Sequence, residues 1–135
     1  MKGLVIAVQF LTRLPTPRLT VSGAEFAASM RWFPAVGLIV GGIVAAGGWA
    51  GAHIDAWTGA LAALLLWVAV TGALHLDGLG DVADASGAAH KDRERMLAVM
   101  SDPHVGSFAV VTVAMPLIAK LGLLHALIGG QAFAP

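Results

Sequence analysis

The chain contains no cysteine, which excludes disulfides and thiolate metal centres, and its five histidines include no close pair suited to zinc. Charge is scarce too. Only 12% of the 135 residues are Asp, Glu, Lys or Arg, and the eight acids and eight bases cancel. A chain so balanced has no global basic field, so nucleic acid is not an expected partner. No Pro/Ser-rich linker or internal repeat divides it, which predicts a single membrane domain over residues 1–135. What the chain does have is hydrocarbon. Hydrophobic residues make up 58% and mean hydropathy is +0.82, the profile of a membrane protein.

Three apolar runs predict three spanning helices, at residues 32–52, 56–74 and 105–128. The first contains Gly37 with Gly41 and Gly47 with Gly51, a spacing that lets helix backbones approach closely in lipid, or that a membrane helix merely tolerates. Trp49 and Trp57 flank the break at 53–55 as interfacial anchors, and Trp32 marks the opposite surface. Pro116 interrupts the third run, its lost donor eased by Thr112 one turn earlier. Lys120 lies in the same run, either snorkelling to an interface or facing the bundle. The opening MKGLVIAVQFLTRLPTP has no small-x-small cleavage site and is too short to cross, so it reads as an interfacial helix. DRERMLAVM (92–100) places Met96, Leu97 and Met100 at helical spacing, which predicts a cytoplasmic amphipathic helix. The fold class is therefore an all-α polytopic membrane bundle. Lys2, Arg13, Arg18 and Arg31 precede the first span, and Lys91, Arg93 and Arg95 follow the second. The positive-inside rule then puts both regions in the cytoplasm.

The stretch HLDGLGDVAD (75–84) sets three acids directly after a membrane-grade run. If it continues the second helix, Asp77, Asp81 and Asp84 fall at i, i+4 and i+7, within a ~60° sector at ~100° per residue. Carboxylates that close repel unless a cation joins them. A hard divalent ion such as Mg²⁺ prefers oxygen ligands and keeps positions for substrate phosphates, which is the logic of phosphoryl transfer. Gly78, Gly80 and Gly87 would let a diphosphate approach the backbone, Arg93 and Arg95 could clamp phosphate, and Asp102 could serve as a further ligand or as a base. His75 and His104 flank the stretch as candidate substrate contacts. A solvated acidic loop with arginines that only set topology is the plainer alternative, and an EF-hand does not fit the spacing.

The strings FLTRLPTP (10–17), RWFPAVGLIVG (31–41), HLDGLGDVADASG (75–87), DRERMLAVMSD (92–102) and VGSFAVV (105–111) together resemble the N-terminal half of the adenosylcobinamide-GDP ribazoletransferases, the cobalamin synthase family. The resemblance implies an all-helical bacterial inner-membrane enzyme whose acidic motif is similar to that of the CDP-alcohol phosphatidyltransferases. It implies Mg²⁺ at Asp77, Asp81 and Asp84, adenosylcobinamide-GDP and α-ribazole (or its 5′-phosphate) as substrates, and GMP as leaving group. Asp81, Asp84 and Asp102 become the expected catalytic carboxylates, with His75, Gly78, Arg93, Arg95 and His104 on substrate. Lipid bilayer is a partner, and a homo-oligomer or other corrinoid-assembly enzymes are conceivable ones. The chain departs from the family pattern at Ala85 and at Ser101, Pro103 and His104, where the family commonly has Lys-Asp-Ser-Arg around the acid. The family's later helices are missing, so the expectation is part of a longer transferase. A lipid CDP-alcohol phosphotransferase and a non-enzymatic cation-binding membrane subunit are the alternatives.

Overall fold

The computed structural model describes residues 2–88, 93–100 and 104–130, apart from the side chains of Ala88, Arg95 and Ala98. Seven α-helices follow one another, and no strand occurs among the described residues: α1 (Lys2–Leu11), α2 (Gly23–Ser29), α3 (Phe33–Ala52), α4 (Ala56–Thr71), α5 (Leu74–Ala88), α6 (Arg93–Met100) and α7 (Ser107–Ile128). A 3-10 turn, Met30–Trp32, joins α2 to α3. Two compact units result, one holding the residues up to Gly72 and those from Leu123 onward, the other Ala73–Gly122.

Length and apolarity place this protein in a membrane. Gly23–Ala52 and Ser107–Ile128 are each long and apolar enough to span a bilayer, and a third span exists if Ala56–Thr71 and Leu74–Gly87 are taken together. Large apolar side chains point outward as they do toward lipid: Leu38 is 79% exposed and Leu123 71%. With no water to expel between helices, association depends on close packing. Glycine supplies it in the first unit. A methyl group on Gly51 would lie 2.7 Å from the Thr58 carbonyl oxygen, and one on Gly59 would lie 2.8 Å from the Gly48 carbonyl oxygen, so α3 and α4 touch backbone to backbone. Gly47 seats Leu66 in the same seam. Gly37 and Gly41, the other predicted pair, have nothing within 4 Å and take no part in it.

Asp55 starts α4. Its Oδ1 accepts the amides of Trp57 (2.8 Å) and Thr58 (3.0 Å), and its Oδ2 accepts the Thr58 hydroxyl at 2.6 Å. These bonds, the Thr58 hydroxyl first, hold the exposed carboxyl below its ordinary range. The N-terminal segment packs through rings: Phe10 meets Phe26 edge-on at 4.8 Å and stacks on Phe33 at 6.1 Å. The short helix predicted at the N-terminus forms as α1. A Ser22/Glu25 capping box starts α2, and Lys2 pairs with Glu25 at 2.5 Å.

The second span ends sooner than its apolar composition predicts. Helix α4 stops at Thr71, where Gly72 adopts a left-handed conformation (φ 61°) as C-cap and Ala73 follows with φ 60°. The stretch 75–85 therefore does not prolong the second helix. It belongs to a separate helix, α5, because two consecutive left-handed residues cannot carry the α-helical hydrogen-bond ladder forward. The Arg13 amide donates to the Val70 carbonyl at 2.7 Å, and the Arg13 side chain lies against Gly72, where a β-carbon would stand.

Candidate functional site

The second unit carries the acids. Since residues 74–88 are one α-helix, the 4-3 spacing of Asp77, Asp81 and Asp84 puts them on a common face, and all three line a single cavity of about 690 Å³. Across from α5, the cavity is closed by His104, Val105 and the first turns of α7, through Ala109, Val113 and Leu117. Leu76 and Met100 complete an apolar floor. The wall therefore joins a carboxylate row to hydrocarbon, a combination suited to a ligand with a charged and an apolar part.

Helices α5 and α7 meet at glycine. A β-carbon on Gly80 would lie 3.2 Å from that of Ala109, and one on Gly87 would be 2.5 Å from the Phe108 ring. These two predicted phosphate glycines thus act in packing, whereas Gly78 is exposed with nothing within 4 Å and does not line the cavity. His75 and Arg93 are likewise exposed and outside the cavity wall. The Arg95 side chain and the whole of Asp102 lie outside the described residues.

The three aspartates are not equivalent. Asp84 is engaged on both oxygens: the Gly106 amide donates to Oδ2 at 2.6 Å and the Ala109 amide to Oδ1 at 2.9 Å. Asp77, exposed, and Asp81, half-buried, have no such bond among the described residues. Nor, among the described residues, does any group of three or more His, Asp or Glu stand close enough to enclose a metal ion. The described residues alone therefore form no cation cage. Asp77 and Asp81 supply carboxylate oxygens on the cavity wall, the ligand type that Mg²⁺ commonly takes together with substrate phosphate and water. The apolar wall around Val105, Val113 and Leu117 was not among the predicted site residues; its signal was the apolar start of the third run, read only as a span.

The family model for cobalamin-5-phosphate synthase (CobS) matches residues 3–134. Among curated relatives, the adenosylcobinamide-GDP ribazoletransferase of Novosphingobium aromaticivorans is 63% identical over 98% of this chain and 56% of its own length. Those of Thiobacillus denitrificans (53% identical, 93% of this chain, 51% of the relative) and Laribacter hongkongensis (62%, 92%, 51%) are similar to it as well. No solved structure matches. The chain spans about half the length of the curated relatives it matches. On a match through nearly every residue, the chain belongs to the cobalamin-5-phosphate synthase family.

Proposed function

We propose that this chain forms the acidic half of a membrane phosphotransferase that joins adenosylcobinamide-GDP to α-ribazole, or its 5′-phosphate, and releases GMP. Family membership supports the reaction. The observation that carries it to named residues is the shared cavity of Asp77, Asp81 and His104, acids and imidazole against an apolar floor.

In this reading a ribazole hydroxyl oxygen forms a bond to the cobinamide-side phosphorus while the bond from that phosphorus to the GMP oxygen breaks. The hydroxyl proton passes to a carboxylate, for which Asp102, two residues before His104 in the chain, is the candidate. Asp77 and Asp81 would hold Mg²⁺, which when bound neutralises charge on the diphosphate oxygens. His104, which lines the cavity, would face the phosphates. The apolar floor orients the less polar part of the substrate and keeps water from the phosphorus. The basic residues before α3 and between α5 and α7 support a cytoplasmic position for the cavity, where nucleotides are available, in the bacterial inner membrane.

The test replaces the matching segment of the Novosphingobium aromaticivorans relative with this chain and supplies membranes with adenosylcobinamide-GDP, α-ribazole and Mg²⁺. Formation of GMP and cobalamin, lost in Asp81→Asn, is the expected result. A lipid product from a CDP-activated donor, or neither product from a well-folded chimera, would sink the proposal.

A further inference from the structure

Helix α7 begins with a gap in its own chemistry. The first amides of a helix have no intrahelical acceptor, and the residue just before the helix usually supplies one from its side chain. Here that residue is Gly106, which has none. The missing cap comes from 22 residues earlier: Asp84 accepts the Gly106 amide at 2.6 Å, and with its other oxygen the Ala109 amide at 2.9 Å. A β-carbon on Gly106 would lie 2.5 Å from Asp84 Oδ1. The carboxylate therefore occupies the space a local cap would fill, and Gly106 is glycine because Asp84 is there.

We infer that Asp84 is a positioning residue, the N-terminal cap of α7, which holds 104–106 against α5, rather than a ligand of the divalent cation assigned to Asp77 and Asp81. This rests on the cation site proposed above. Electrostatics separates the three acids. A helix N-terminus carries roughly half a positive charge, which stabilises an anion and repels a cation. A metal ion on Asp84 would stand beside that positive end. At ~1.5 Å rise per residue, Asp81 and Asp77 lie progressively farther back along α5. The cap also acts on the cavity, since His104 and Val105, its lining residues, immediately precede the capped amide. Phe108, seated on Gly87, fixes the same turn from the other side.

The experiment uses the whole chain in phospholipid vesicles, with two readouts: amide hydrogen exchange across residues 106–109, and Mn²⁺ affinity by electron paramagnetic resonance. Loss of charge-assisted bonds in Asp84→Ala should speed exchange about tenfold or more, and Asp84→Asn, which keeps one acceptor oxygen, should speed it less. Gly106→Ser alone should also speed exchange, through its collision with Asp84. Combined with Asp84→Ala, the new serine becomes an ordinary cap, and exchange should return to within about threefold of the parent. That double variant should keep the parent's Mn²⁺ affinity, whereas Asp77→Asn and Asp81→Asn should weaken it about tenfold with unchanged exchange. Unaltered exchange in Asp84→Ala, or no recovery in the double variant, would overturn the cap. Recovered exchange with Mn²⁺ affinity still lost would make Asp84 a ligand and overturn its exclusion from the metal site. A parent that binds no Mn²⁺ would overturn the cation site, while the cap would stand or fall on exchange alone.

Discussion

Trp57 and His125 lie face to face, ring centroids 3.8 Å apart and planes 13° from parallel. The contact ties the first turn of α4 to the last turn of α7 within the first unit, and Trp57 keeps 57% of its surface exposed. Stacked aromatic pairs contribute about 0.5–1.5 kcal/mol beyond area burial, so Trp57→Leu should lower stability by about 1 kcal/mol. Thermal unfolding in detergent micelles measures this. His125→Leu should cost a similar amount, and the double variant less than the sum.

The α3–α4 seam makes a sharper prediction. Gly51→Ala would press a methyl group onto the Thr58 carbonyl at 2.7 Å, backbone that cannot rotate aside. Overpacking of this kind costs about 1–3 kcal/mol. Gly41→Ala, with nothing within 4 Å, should be neutral or slightly stabilising. Equal melting of the two variants would contradict backbone contact as the reason for the glycine.

At the break between α4 and α5, Gly72→Ala should destabilise by about 1–2 kcal/mol, because a β-carbon is disfavoured at positive φ and Arg13 already fills its place. Ala73, also at positive φ, offers the reverse case: Ala73→Gly should raise stability by up to about 1 kcal/mol. Chemical unfolding of the pair, read by circular dichroism, should show shifts of opposite sign.

The depressed carboxyl of Asp55 gives a pH dependence whose sign is set. A folded-state pKa below the unfolded one contributes stability that is fully present above the unfolded value, about 3.9, and is lost as pH falls through the folded value. Stability should be flat on this account from neutral pH to about pH 4 and fall below it. In Asp55→Asn that acid-side component should disappear, and Thr58→Ala, which removes the hydroxyl donor, should reduce it.

The site was legible in the sequence up to the limit of local geometry. Asp77, Asp81 and Asp84 share a face because helical periodicity needs only their spacing, and they do share one cavity. His104 joins them, as the flanking position suggested, but its counterpart His75 does not. Both are histidines at the edge of an apolar run, and nothing local distinguishes them. Gly80 and Gly87 were visible as glycines, yet their partners, Ala109 and Phe108, lie more than twenty residues away. Helix α2 was not among the predicted elements, although its Ser22/Glu25 capping box is a signal contained in four residues.

Hydrophobic length alone determined that this chain belongs in a membrane and where α3 and α7 run, because crossing hydrocarbon is a matter of consecutive apolar residues and internal hydrogen bonds. The acidic face of α5 was determined equally locally. Only tertiary structure decided which glycines become a seam, where the second apolar run breaks, and which aspartate is drawn to α7 while two stay open to the cavity. Those outcomes depend on what arrives from elsewhere in the chain, and a carboxylate has the same sequence whether it meets a helix terminus, a cation or water.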